Sequence, residues 1–339
     1  MRLFEGGAVS GGPCEAPRTA TAHRASALQS QVITMRVILL FMLGLGLIML
    51  CGNRLVDAAV DLAKKCKIPE AIIGAAVVSI ATTLPEILVS ATAAVREAPD
   101  LAAGSATGSI ICNTALIAGF SLLARPSRDL EPKPYLWRLM FFAAADVFLT
   151  VCGLMFGGFP RWAGAALLAG FVAYTVLCVR KDPIPPQEMG PAGHVARALV
   201  MFVVCTAGLA FGARLLVDNG VRLAEAAHLP QRVIAVTFIA LGTSLPELVT
   251  AVSAVMKGHS DLSLGNILGA NTLNLLLVAG IPAVIRPLSV DPLTARLDLP
   301  LGLGLMLVLT VPMMIRKKGS RLQGFLLVCA YVIYALLQF

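Results

Sequence analysis

Two short stretches of this chain set a carboxylate among hydroxyls inside otherwise apolar sequence. Ser79-Ile-Ala-Thr-Thr-Leu-Pro-Glu86 is one; Ala240-Leu-Gly-Thr-Ser-Leu-Pro-Glu247, 161 positions later, is the other. Thr82 and Thr83 precede Glu86 by four and three residues, so on a helix their side chains share its face. Pro85 has no N–H, which leaves the carbonyl of Ala81 without its helical donor, and the proline ring is expected to open the helix there. The product is a group of oxygens around one acid. Thr243, Ser244, Pro246 and Glu247 repeat it in the second stretch. Oxygen-only ligand sets suit hard cations, and an acid held in an apolar segment is costly unless it is used.

Composition says what must carry these stretches. Of 339 residues, 58% are hydrophobic and 14% charged, where a soluble domain holds about a quarter charged residues. This is an integral membrane protein. Apolar runs of about 20 residues can span a bilayer. They fall at roughly 37–62, 70–95, 102–124, 135–157, 162–179, 196–216, 231–256, 262–285, 297–315 and 322–338. The expected fold is an all-α polytopic membrane protein with ten transmembrane helices. The net charge of +8 reports topology rather than nucleic acid. With the N-terminus outside, 15 basic residues, among them Lys64, Lys65, Lys67, Arg125, Lys257 and Lys318, fall in loops facing the cytoplasm. Only six, Arg96, Arg161, Arg222, Arg232, Arg286 and Arg296, fall in the opposite loops. The positive-inside rule therefore places both termini outside.

The match between the two stretches is part of a longer, ungapped one. At the same offset Asp57 meets Asp218, Pro69 meets Pro230, Gly104 and Gly108 meet Gly265 and Gly269, Asn113 meets Asn274, and Arg125-Pro126 meets Arg286-Pro287. Five spans separate equivalent points. Five is odd, so the copies face opposite ways across the bilayer, as two inverted five-helix repeats at 36–179 and 196–339. An inverted repeat with interrupted helices is the signature of a secondary transporter with a midplane site. The Pro/Gly-rich stretch 180–195 links the halves and is too short to be a domain. Residues 1–34 show no apolar period and read as a disordered tail or a misassigned start.

Further polar groups lie on the spans that follow the acids. Ser109 and Asn113 are i, i+4 and share a face. Asn113 and Asn274 are candidate ligands, since each recurs in register with an acid. The paired glycines 104/108 and 265/269 are expected to let helices approach closely. Asp57 and Asp218 sit near helix ends, with Arg54 and with Arg214 and Arg222 at ion-pair spacing. Asp146 lies mid-span without a counterpart in the other half; a protonated acid, an interhelical hydrogen-bonder and a proton-coupling site are all open. The eight cysteines show no metal-binding spacing and read as small buried residues. The histidines fall in the tail and loops.

Around Glu86 and Glu247 the chain resembles the calcium/cation antiporter superfamily, of sodium/calcium exchanger type. That family carries G-T-S-L-P-E followed by G-N-x-x-G-S-N-x-x-N once per half. Here the second half reads Gly242-Thr-Ser-Leu-Pro-Glu247 and Gly265-Asn-Ile-Leu-Gly-Ala-Asn-Thr-Leu-Asn274, and the first Ala81-Thr-Thr-Leu-Pro-Glu86 and Gly104-Ser-Ala-Thr-Gly-Ser-Ile-Ile-Cys-Asn113. The resemblance covers nearly all of 36–339 and is closest to short bacterial inner-membrane members without a regulatory loop. It implies Na+/Ca2+ antiport by alternating access, with the cation site between spans 2, 3, 7 and 8. The implied Ca2+ ligands are Glu86 and Glu247 with the carbonyls of Thr82 and Thr243. The implied Na+ ligands are the carbonyls of Ser79 and Ala240 with Thr83, Ser244, Ser109, Asn113 and Asn274. Pro85 and Pro246 are the expected helix breaks.

Departures from the pattern bear on coupling. Ala270 stands where the family has serine, which removes one candidate Na+ ligand. Asn274 stands where several relatives carry aspartate, leaving two carboxylates, enough to neutralise one Ca2+. H+-coupled exchange is the close rival, with Glu86, Glu247 or Asp146 carrying the proton. An intramembrane hydrolase lacks its metal or nucleophile motifs here, and a passive channel needs no inverted repeat. The chain is expected to be no enzyme and to need no cofactor beyond its transported ions. Its surroundings are the bilayer, and no obligate protein partner is evident.

Overall fold

The computed structural model describes residues 35–51, 54, 57, 58, 61, 79–126, 132–181, 195–244, 247, 248, 251 and 260–338. The tail 1–34, most of the linker, the basic loop around Lys64 and Pro246 lie outside them, as do the side chains of Ser79 and Thr82.

In hydrocarbon a chain segment must satisfy its own backbone polar groups, which an α-helix does within itself. Helices accordingly occupy the apolar stretches. They are α1 Met35–Cys51, α2 Ser79–Val95, α3 Pro99–Ala124, α4 Pro132–Phe156 and α5 Arg161–Lys181. After the linker come α6 Val195–Ala226, α7 Gln231–Thr243, α8 over 260–285, α9 Thr294–Arg316 and α10 Arg321–Leu336. Among the described residues α3, α4, α5, α6, α8 and α9 are long and apolar enough to cross a membrane. Local signals set the ends. Proline opens α3 with Asp100 in its first turn. The Ser320 hydroxyl caps α10 by accepting from Gln323 N at 3.2 Å. The helices α2 and α6 end in turns closed by left-handed residues, Glu97 and His228, with Ala98 N donating to Ala93 O and Leu229 N to Ala224 O.

The centre of the bundle is α3 with α8. Their apolar windows are 83% buried, against 28–44% for α4, α5, α6 and α9, so the outer helices turn most of their side chains outward. Around α3 pack α2, α7, α8 and α10, and around α8 pack α2, α3 and α5. Small residues allow this. A Cβ on Gly108 would lie 2.6 Å from Val236 Cα of α7, so only glycine fits at that crossing. Equivalent crossings join α3 to α10 at Gly119/Gly324 and α8 to α5 at Gly280/Gly164. Close approach was expected at Gly265 and Gly269 too, but the structure shows more room there. Their nearest described neighbours are the side-chain ends of Arg138 and Tyr174, at 3.8 and 3.9 Å, which stand off further than a helix backbone does.

One end of the bundle is tied together by contacts between distant segments. Arg96 pairs with Asp218 at 3.1 Å and Arg286 with Glu97 at 2.6 Å. The Asp100 carboxylate accepts from Asp291 N at 2.8 Å. A two-residue ribbon pairs β1 Gly158–Phe159 with β2 Leu288–Ser289. Thus α3 begins at the end where α8 finishes.

Three expectations need correction. The helix α2 runs through Pro85 without opening: a proline removes one backbone bond, while α3, α6 and α8 hold the segment from the sides. The helix α6 continues ten residues past the expected 216, to Ala226, with Arg214 and Asp218 paired along it at 3.6 Å, since a helix satisfies its own backbone beyond the apolar run as well as within it. Arg232 is no loop charge. Its side chain is 4% exposed and its guanidinium grips Asp298 with Nε and Nη2 at 2.8 and 2.5 Å. Tyr334 and Gln338 complete that cluster.

Candidate functional site

Glu86 projects from the middle of α2, and Glu247 follows the end of α7. Each is almost fully shielded, at 1% and 4% exposure. Their carboxylates lie within electrostatic reach of one another, and the Thr243 hydroxyl is within hydrogen-bonding reach of Glu86. The acids of the two repeated stretches are therefore both buried and near enough to influence one another. In α7 the backbone leaves the helix at Ser244, with φ −84° and ψ 4°, and the next turn closes with Leu248 N donating to Ser244 O at 3.0 Å. The Thr243 hydroxyl also lies 3.1 Å from Ile239 O and 3.3 Å from Ala240 O. Ala240 O additionally accepts from Ser244 N. Thr83 and Ser244 are buried beside their acids in sequence.

The flanking helices α3 and α8 share a backbone irregularity that no pattern in the sequence announces. Each widens into a π turn, Cys112–Ile117 and Asn274–Ala279, one residue out of register in the repeat; α7 and α9 carry π turns too, at Ala235–Ile239 and Thr294–Asp298. Such turns interrupt the regular ladder and gather at functional sites. Asn113 and Asn274 sit at their starts, with Ser109 one turn before Asn113.

Buried polar atoms nearly always have partners. Here, among the described residues, Glu86 Oε2, Ser109 Oγ, Asn113 Oδ1, Ser244 Oγ and Asn274 Oδ1 are buried without one. These five lie in the repeated stretches or the turns beside them, while Ser121 Oγ and Asn219 Oδ1 are further such atoms elsewhere. Two acids with amide and hydroxyl oxygens form a hard-cation ligand set. Among the described residues no group of three or more His, Cys, Asp or Glu comes together, so a soft-metal centre is not assembled there.

Three further polar residues at this centre have no polar counterpart in the repeat. Asn271 receives Asn113 Nδ2 at 3.1 Å and donates Nδ2 to Thr114 Oγ1 at 2.7 Å. The Ser90 hydroxyl lies 2.8 Å from both Ala102 O and Val278 O, tying α2 to α3 and to the π turn of α8. Their counterparts in the other half are Ile110, Leu275 and Ala251, so recurrence in register could not find them. Asn271 does stand within the motif of the second half, which was the available signal. Asp146 is 1% exposed on α4 beside Thr150. Neither of its carboxylate oxygens makes a well-formed hydrogen bond among the described residues.

This is a helical membrane protein with two buried acids and partnerless buried oxygens in its repeated stretches and the turns beside them. A family model described as sodium/calcium exchanger protein matches it twice, over residues 36–180 and 197–339. The chain belongs to that family of exchangers, and is a transporter rather than an enzyme. It is 36% identical over 275 residues to the inner membrane protein YrbG of Escherichia coli K12, covering 76% of this chain and 83% of that one. It is 27% identical over 342 residues to the sodium/calcium exchanger MaX1 of Methanosarcina acetivorans, covering 89% and 98%. Among solved structures it is similar to the sodium-calcium exchanger NCX_Mj, with a TM-score of 0.63 at 28% identity over 90% of this chain and 99% of that one.

Proposed function

We propose that this chain is a secondary antiporter that exchanges Na+ for Ca2+ across the inner membrane by alternating access. The observation that carries the reading is that Glu86 and Glu247 are both buried within electrostatic influence of one another, with partnerless buried oxygens in the same stretches and the turns beside them. Two like charges shielded from water need compensation, and one Ca2+ balances both. The carbonyls of Thr82 and Thr243 complete the Ca2+ ligands in this reading. Na+ is taken by the carbonyls of Ser79 and Ala240 with Thr83, Ser244, Ser109, Asn113 and Asn274. Pro85 and Pro246 contribute by leaving a carbonyl without its helical donor. The ions are cargo, and no resident cofactor is needed. Relatives named as sodium/calcium exchangers support the choice of ions.

The architecture we propose is ten spans in two inverted repeats, 36–179 and 196–339, joined by a cytoplasmic linker at 180–195, with both termini outside. In its support, the repeat-equivalent helices α3 and α8 run in opposite senses, since Asp100 at the start of one meets Asp291 just past the end of the other. Rocking of one repeat against the other around a fixed site would then expose it to each side in turn.

Asp146, buried with neither carboxylate oxygen well bonded, favours a second reading in which H+ is the coupling ion. Purified protein in sealed vesicles separates the two. Radiolabelled Ca2+ uptake should follow an outward Na+ gradient, generate a membrane potential and ignore a pH gradient. Uptake that follows the pH gradient and ignores Na+ would transfer the function to H+ coupling.

A further inference from the structure

We propose that Thr114 and Asn271 are positioning residues that fix which way the Asn113 amide faces, and hence which of its atoms meets the transported cation. The proposal rests on the cation-site reading above. It follows from counting protons along one chain of hydrogen bonds that crosses from α3 to α8.

A threonine hydroxyl has one proton to give, and a backbone carbonyl can only accept. Thr114 Oγ1 lies 2.7 Å from Ile110 O, so its proton is committed there. What Thr114 offers on its other side is a lone pair. Asn271 must answer with its amide nitrogen, which it does at 2.7 Å. If the Asn271 amide turned over, its oxygen would face an oxygen with no proton left between them. With its nitrogen held by Thr114, Asn271 presents Oδ1 to Asn113, and Asn113 turns its own Nδ2 toward it at 3.1 Å. The chain ends at Asn113 Oδ1, buried and without a donor among the described residues.

Thus a carbonyl of the α3 backbone dictates the orientation of an amide one turn along, by way of a residue from the other half. All three side chains are at most 1% exposed, so bulk water offers no substitute partners, and buried networks of this kind hold direction strongly. An amide facing the other way would point two N–H groups at a cation. The counterparts of Asn271 and Thr114 are Ile110 and Leu275, neither of which can hydrogen-bond through its side chain. The device therefore serves Asn113 and not Asn274, which makes the Asn113 side of the site the more rigidly prepared.

The test uses the full chain in sealed vesicles and reads the half-saturating concentration of the driving cation. Thr114→Val keeps the shape and removes the hydroxyl; it should raise that concentration about tenfold, as loss of an oriented ligand to a charge does, with a much smaller change in maximal rate. Thr114→Ser keeps the hydroxyl and should stay within about twofold of wild type. In an Asn113→Asp background both side-chain oxygens can face the cation, so adding Thr114→Val should change the value less than about twofold. Thr114→Ala supplies the same comparison where the valine variant fails to insert. A valine variant equal to wild type, a serine variant as poor as valine, or a valine effect undiminished in the Asn113→Asp background overturns the proposal. If protons rather than Na+ drive uptake and these ratios hold, the amide relay stands and only the ion reading falls. A wild-type chain that moves no cation under either gradient overturns both.

Discussion

Glu86 and Glu247 are carboxyl groups shielded from solvent, one from each half of the chain, and in the function proposed above they share one cation. What those residues are was legible from type and recurrence: acid, hydroxyls and amide return at a fixed offset, which packing alone has no reason to impose. Asn271, Thr114 and Ser90 were not legible that way, because hydrogen-bond networks do not have to obey the symmetry of the repeat. Each acts through a partner chosen by three-dimensional proximity, and its counterpart is an apolar residue. The departure at Asn274 leads to a prediction. Asn274→Asp adds a third carboxylate, so the dependence of uptake on Na+ or pH should shift before the affinity for Ca2+ does. Titrations of uptake against each ion measure this, and an unchanged Na+ and pH dependence would remove Asn274 from the site.

At the level of helices, apolar run length located the six described helices long enough to cross a membrane, while their ends and contacts depended on information the pattern lacks. The helix α6 outruns its apolar stretch with charged residues paired along it, and α2 withstands its proline because neighbours hold it. Close crossings are also uneven between the halves. Gly108→Val should overpack the α3–α7 contact, where the Val236 backbone lies 2.6 Å from the place a Cβ would take, and lower stability by about 1–3 kcal/mol. Gly265→Ala, with its nearest described atom 3.8 Å away, should be tolerated. Thermal unfolding in detergent compares them, and equal effects would contradict the packing described. The Arg232–Asp298 pair gives a sharper contrast. Arg232→Met leaves a buried acid uncompensated and should cost about 3–5 kcal/mol, whereas Arg232→Met with Asp298→Leu should recover much of it. A double variant no more stable than the single one would show that the ion pair itself, and not its balance, holds α7 to α9.

For the whole molecule, composition and the offset of 161 residues already indicated a membrane protein of two related halves. They could not show that α3 and α8 form its centre, since the polar residues on those spans mark a candidate site without saying how deeply either helix is buried. Residues 1–34 precede the first apolar run, so a chain starting at Met35 should insert and transport normally. A short Gly/Ser insertion near Gly190 should also leave exchange intact, because that stretch lies between the repeats. Uptake rates per inserted protein check both, and a strong defect in either would assign that segment a role in coupling. The central claim is that one cation is shared between acids from opposite halves, and transport by Glu86→Gln and Glu247→Gln tests it most directly. With each variant purified, shown to be folded and inserted in vesicles, radiolabelled Ca2+ uptake driven by Na+ should fall nearly to background. The double variant should be little worse than either, because groups acting as a unit are not additive. Robust Na+-driven Ca2+ uptake by either single variant would contradict the shared site.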